Sequence, residues 1–394
     1  MKRVPGTRDE FHTIQLKTNN FNRMNKIRNL ILITLIFVVG ACQNKKLDKT
    51  EKKELKVTVD EHFNQLFHRN SGGTTGADGA ISVPFPDGSS VFMMGDSFLG
   101  EVKNNQRDTT TKMINNTFIV VNPEQTNTKT LFQGEYDDPY SLVIPENDPG
   151  KFYWPGHGFV RDSVFHFFMS RFWIPGTGMW GFEFLNTDYF RYSWPEFEKI
   201  SVEPFEYTLQ NNVHWGHAVF DEGNYIYIYG SRAEEDNICK AHVCRTTLTG
   251  ENTLDFKDVE FFDGSSWTSD PLATNPMKGI TSNISEQFSV FKYNNTYVLL
   301  SQQRGIGAGE IYTYTSENPF GPWENRQMIY RTAEYNEDSD IITYNAMAHP
   351  QYIKDHELLI SYNVNSLKPS QIFENVDYYR PVFLRVPMEM ILKE

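Results

Sequence analysis

Five segments of this chain repeat one pattern: a polar or ionisable residue, a short alternating strand, a tight turn, and an aromatic or aliphatic strand ending in serine. They begin at Asp78, His157, His217, Glu286 and His349, spaced 79, 60, 69 and 63 residues apart. Each turn carries reversal chemistry, in Pro86-Asp87-Gly88, Arg161-Asp162-Ser163, Asp221-Glu222-Gly223-Asn224, Asn294-Asn295 and Lys354-Asp355-His356. A further strand-like run follows each hairpin, at 116–121, 179–185, 242–248, 310–315 and 381–387. Two hairpins per unit make four strands. Repeats of that size predict an all-β chain folded as a five-bladed β-propeller, because radial closure protects sheet edges that would otherwise pair with other chains. One long β-sandwich with evenly spaced strands is the competing architecture. Helical periodicity is confined to the N-terminal segment and residues 57–68.

In a propeller the first strand of each blade lines the central channel, so the five repeat starts are expected to form a ring of titratable groups at one mouth. Three of the ten histidines, His157, His217 and His349, fall on that one position, with Asp78 and Glu286 on the other two. A second carboxylate joins them. A two-residue Asp87-Gly88 turn would set Gly79 opposite Asp96 and Asp78 opposite Ser97, bringing Asp78 and Asp96 to the same rim. Carboxyl groups converging on one cleft suit glycosidic cleavage, where one protonates the leaving oxygen and another activates water or attacks carbon.

Arg171, Arg232 and Arg304 follow hairpin ends and are expected near the same mouth, either paired with carboxylates or forked toward a substrate carboxylate. Trp154, Trp173, Trp180, Trp215, Phe288 and Tyr344 flank the repeat starts. Flat faces there suit sugar rings, with Trp154, Trp215 and Tyr344 as the candidates for substrate contact. No cofactor is expected. A divalent ion in the channel would have to use one or more of His157, His217 and His349, a donor set better suited to a transition metal than to calcium.

The N-terminus has a separate logic. From Met24 the chain reads a basic stretch, the apolar run 30–39 and Val39-Gly40-Ala41-Cys42, the layout of an export signal too short to span a bilayer. Small residues before cysteine resemble a bacterial lipobox, in which Cys42 is lipidated. The expected organisation is therefore a signal over 1–41, with Met24 as an alternative start, a lipidated and solvated tether over 42–56, and one β domain over 57–394. Localisation is expected at the cell envelope through the lipid anchor, as a monomer. The whole chain carries a formal net charge of −13, and beyond residue 41 the balance is 30 basic against 48 acidic side chains, which disfavours nucleic acid as a partner. Cys239 and Cys244 are spaced so that a small disulfide or two buried thiols would both serve.

At the level of blade pattern, residues 70–390 resemble family 43 glycoside hydrolases of the arabinanase and xylosidase type. The resemblance implies Asp78 as base and Glu286, opening FSVFKYNNTYVLLS, as acid, with SENPFGPWE at 316–324 as an outer-strand tail. The family's second-blade aspartate is replaced here by His157. A second resemblance, to exported bacterial proteins that include endo-D-arabinanases, rests on DGAISVPFPDGSSVFMMGDSFLG and on YNAMAHPQY with LLISYNVN at 344–365. It implies Asp78 and Asp96 as the catalytic pair. The expected activity is cleavage of a polysaccharide, arabinose-containing by resemblance, with Asp78 as base or nucleophile and Glu286 or Asp96 as acid. A glycan-binding propeller without turnover and a uronate-active enzyme built on the arginines are the alternatives.

Overall fold

A computed structural model describes residues 55–178, 181–234, 237–305, 308–334 and 339–392. The expected signal, Cys42, most of the tether and Trp180 lie outside the described residues. Among those described, no helix is long and apolar enough to cross a membrane.

The described residues are all-β, with only short helices between strands and after the last one. Five antiparallel sheets carry the repeat. The first sheet runs Ile81–Pro84, Ser90–Met94, Thr117–Val121 and Thr128–Leu131, in chain order. The second holds Lys151–Arg161, Val164–Trp173, Glu183–Ser193 and Lys199–Pro204; the third opens on His214–Glu222, Tyr225–Ala233 and Cys239–Thr246 and adds two short strands. The fourth comprises Ser289–Tyr293, Thr296–Gln302, Glu310–Ser316 and Glu324–Arg331. The fifth takes Ile341–Lys354, Glu357–Ser366 and Pro381–Pro387 from the end of the chain and completes itself with Thr58–Val59 from its beginning, Thr58 pairing with Arg385.

The opening strands of consecutive sheets lie against one another, and the opening strand of the fifth packs against that of the first. The apolar cores follow the same order. Phe165, Phe167 and Met169 on one face of Val164–Trp173 pack with Val83, Met93 and Phe118 of the first sheet. Phe168, on the opposite face, packs with Val219, Ile228 and Phe261 of the third. Further cores join the third to the fourth, the fourth to the fifth, and the fifth back to the first. Both faces of each sheet are therefore buried, which is why strands such as VFHFFM carry almost no polar alternation.

Four hairpins close with two-residue turns that lie within the reversal segments marked by the sequence. Arg161 pairs with Val164 across Asp162 and Ser163, both left-handed at φ 49° and 60°, a geometry that matches strand twist. The first hairpin differs. Phe85 N–H bonds Ser89 O and Gly88 is left-handed, so the loop is Pro86-Asp87-Gly88, three residues long. The extra residue shifts the expected register by one position: Ile81 faces Met93 and Ala77 faces Ser97. Asp78 and Asp96 consequently stand at one level, directly across from each other.

Cys239 and Cys244 are free and buried. Five residues apart on one strand, they point to opposite faces and belong to two different cores, which excludes a disulfide between them.

Candidate active site

The site arises where opening strands lose their regular register. The pairing shifts between Pro155 and Gly158, between Trp215 and Ala218, and between Tyr344 and Met347. In the first sheet the chain passes through left-handed Gly79 and Ala80, and Asp78 bonds both neighbours opposite, donating its N–H to Asp96 O and accepting at its own O from Gly95 N–H. Such bulges re-aim side chains toward a cleft. Gly79 is needed for its φ of 93° and because a Cβ there would lie 2.8 Å from Gly95 N.

Each aspartate is held through one oxygen. Asp78 Oδ2 accepts from the Tyr344 hydroxyl at 2.7 Å and the Tyr379 hydroxyl at 3.3 Å. Asp96 Oδ1 accepts from Trp154 Nε1–H at 2.8 Å and Asn115 Nδ2–H at 3.1 Å. Among the described residues neither carboxylate has a cation within ion-pair distance. Burial, together with the Asp96 charge, pushes Asp78 up to about 7 against the pull of its two tyrosines. Burial raises Asp96 to about 6, opposed by Trp154 and Asn115. Of the two, Asp78 is therefore the one more readily protonated near neutral pH. Burial and the neighbouring Asp78 hold the Tyr344 and Tyr379 hydroxyls far above their ordinary range, so both remain donors.

The pair opens on a cavity of about 710 Å³. One wall is aromatic, made by Phe152, Trp154, Phe172 and Phe182 of the second sheet and its connection. The facing wall is made of amides. Ser285 donates to Asn345, Asn345 to Gln287, and Gln287 to the Pro155 carbonyl, a chain of bonds that joins the fourth, fifth and second sheets. Glu286 stands on this wall, 54% exposed and bonded to Arg304 at 2.8 Å.

The structure brings Asp78, Asp96, Glu286, His217, Arg304, Trp154 and Tyr344 to the cavity, and places five other expected residues elsewhere. His349 is fully buried below it, Nδ1 against Ser82 Oγ and Nε2 against Ser361 Oγ. His157 bonds the Val219 backbone and the Ser82 carbonyl, tying three sheets together. Both rings have their nitrogens engaged, which leaves no lone pair for an ion bridging the three histidines. No cluster of three or more metal-ligating side chains occurs among the described residues. Trp215 is buried in the core between the second and third sheets, its Nε1–H on Asn211. Arg171 pairs with Asp188, and Arg232 with Glu234, so neither reaches the cavity as a fork for a substrate carboxylate.

His217 is 2% exposed, neither ring nitrogen has a hydrogen-bond partner among the described residues, and burial beside His214 holds it well below its ordinary range, hence neutral. His214 lines the cavity as well, on Ser170 Oγ at 2.8 Å. Asn115, Tyr379, Phe172 and Gln287 were not foreseen. Asn115 and Gln287 sit next to readable strand starts, whereas Tyr379 comes from a short 3-10 turn, Val376–Tyr379, with no counterpart in the repeat.

The family model described as Domain of unknown function (DUF5005) matches residues 60–388. No curated protein matches the chain. Among solved structures, a Bacteroides ovatus protein provisionally described as a hydrolase shares 20% identity at a TM-score of 0.67, over 84% of this chain and 90% of that one. At that identity the likeness speaks for the fold alone. Weaker likenesses include a GH43 β-xylosidase/α-arabinofuranosidase from a compost microbial metagenome, with 14% identity and a TM-score of 0.47 over 84% of this chain and 94% of that one. An exo-β-1,3-galactanase from Phanerochaete chrysosporium gives 10% identity and 0.47, over 86% and 67%. Scores below 0.5 bear no functional inference.

Proposed function

The chain belongs to the DUF5005 family, a domain of unknown function, and on that footing we propose that it is a glycoside hydrolase of five-bladed propeller architecture, working through Asp78 and Asp96. The observation that carries this reading is the pair itself: two carboxyl groups standing across from each other, unpaired with any described cation, each pinned by two donors through one oxygen and lining an open cavity. A binding module has no use for two raised carboxyl groups that destabilise the fold, whereas an acid and a base set side by side are what glycosidic cleavage requires. The cyclic order of the opening strands and of the cores supports the five blades.

Asp78, raised further, holds a proton and gives it to the leaving oxygen; Asp96, kept ionised by Trp154 and Asn115, faces carbon or its attacking water. This reverses the role expected for Asp78 from sequence. Glu286 suits the acid role less well, since its carboxylate is exposed and engaged by Arg304. The substrate is a neutral glycan: Arg171, Arg232 and Arg304 are each matched by a carboxylate, and the cavity histidines are uncharged. The resemblances read from sequence make arabinose-containing polymers the first to try. Export and lipidation at Cys42 are part of the same proposal and rest on the signal layout.

The test is product release from arabinan, arabinogalactan, xylan and a uronate polymer. One neutral glycan should be cut by the wild type and not by Asp78→Asn. Asp78→Ala should lose about 10²- to 10⁴-fold on that polymer but far less on an aryl glycoside whose leaving group needs no proton. Equal losses on both substrates would remove Asp78 from the acid role. Retention of a glycan without cleavage by wild type and variants alike would replace the enzyme with a binding module.

A further inference from the structure

Trp154 is where the aromatic wall and the carboxylate pair meet. Its indole lines the cavity, braced by Phe172 at 4.6 Å, Phe182 at 4.8 Å and Phe152 at 5.2 Å between centroids. Its Nε1–H donates to Asp96 Oδ1 at 2.8 Å, and Asn115 supplies the other bond to that oxygen. The backbone fixes the residue from both sides: Trp154 pairs with Ser170, and the bulge of the strand starts at the next residue, Pro155. We propose that Trp154 serves as both the platform on which a neutral sugar ring stacks and the positioning residue that aims Asp96, so that occupancy of the cavity and alignment of the carboxylate depend on one side chain. This inference rests on the hydrolase reading above.

The coupling follows from where the bond lies. An indole with three aromatic neighbours has little freedom to tilt, so its N–H keeps one direction, and Asp96 Oδ2 is left as the oxygen without a bond among the described residues. A sugar over the ring excludes water from the N–H···O bond beneath it, and a charge-assisted bond gains strength when water leaves. Binding at the wall therefore reinforces the ionised form of Asp96 during the reaction.

The experiment uses the full chain with Trp154→Phe, Trp154→Ala and Asn115→Ala, each assayed on the glycan that the wild type cuts and, in an Asp78→Asn background, for retention of that glycan. Trp154→Phe keeps a flat ring and removes the donor: retention and KM should stay within about threefold, kcat should fall about ten- to a hundredfold, the range for a hydrogen bond to a charged group, and the acid limb of the pH profile should move to higher pH. Asn115→Ala should move that limb in the same direction with retention unchanged. Trp154→Ala should in addition weaken retention at least tenfold, with Trp154→Leu in its place if the alanine variant does not fold. The proposal is overturned if the phenylalanine and alanine variants lose kcat alike with the acid limb unmoved, which marks a packing role, or if the alanine or leucine variant retains glycan as the wild type does. A wild type that cuts nothing but retains a neutral glycan removes the hydrolase reading while the retention arm still decides the platform. A wild type that neither cuts nor retains any glycan overturns both.

Discussion

Asp78 and Asp96 are half-buried ionisable groups with no cation paired to them among the described residues, and that state has a measurable consequence before any substrate is added. Their folded-state pKa values lie above the unfolded ones, so the folded protein binds protons more tightly. The associated stability is full below about pH 4 and is lost as pH rises through the raised values. Asp78→Asn removes the penalty. The variant should be inactive yet at least as stable as the wild type at pH 8, by about 1 kcal/mol or more, with the difference shrinking toward pH 5; paired thermal unfolding curves at the two pH values check it. With one proton needed on the pair, kcat/KM should follow a narrow bell whose limbs fall near 6 and 7. Gly95 offers a second handle. Its φ is not left-handed, but a Cβ would lie 2.3 Å from Asp78 Oδ1. Gly95→Ala should fold normally and lose activity at least tenfold, because the carboxyl group must swing away; unchanged kcat with a native unfolding curve would show that the oxygen is not where the chemistry needs it. His217, with two nitrogens unpartnered among the described residues, should tolerate leucine with no loss of stability, since replacing an unsatisfied buried polar group relieves its desolvation.

At the scale of elements, the sequence marks where strands begin and turn but not how deep a given residue lies. His349 stands six residues before Asp355, whereas Asp78 stands nine before Asp87. At about 3.3 Å per residue, three positions are about 10 Å along a strand. That offset drops His349 into the interior and brings Tyr344 and Asn345 to the cavity in its place. His217 reaches the wall because the bulge after Trp215 carries it there. The hairpins were legible because Asn, Asp and Gly announce their turns. The three-residue loop at Pro86-Asp87-Gly88 was not, since the same residues serve a two-residue turn, and the choice is made by the fit of Ile81 and Met93 to the core. One element outside the repeat has a testable weight. Asp60 caps the helix Glu61–Phe67 through Phe63 N–H at 2.8 Å and pairs with Arg385 Nε at 2.6 Å. Asp60→Ala removes a cap and strands a largely buried guanidinium, and should cost about 2–4 kcal/mol by denaturant unfolding.

Across the whole molecule, the all-β character and the five repeated hairpins were readable from period and turn chemistry alone. Closure into a propeller was expected from edge protection and belongs to the proposal; what the structure shows is a core in which Phe92 of the first sheet packs with Phe383 of the fifth. What the repeat could not supply are the residues contributed from outside it, Tyr379 above all, because a residue without a counterpart has no pattern to betray it. The N-terminal proposal has its own check: Cys42→Ala should shift the exported chain from the membrane fraction to the soluble fraction, and an unchanged distribution would rule out lipidation as the anchor.

The pairing of Thr58 with Arg385 has a consequence in time as well as in space. A strand made first during synthesis waits for partners made last, and the core between the first and fifth sheets, with Phe63 and Phe67, cannot form until both are present. Contacts of such sequence separation are slow to close. The chain is therefore synthesised with its ends unjoined, and the first and fifth sheets become one cooperative body only after the final strand has been made.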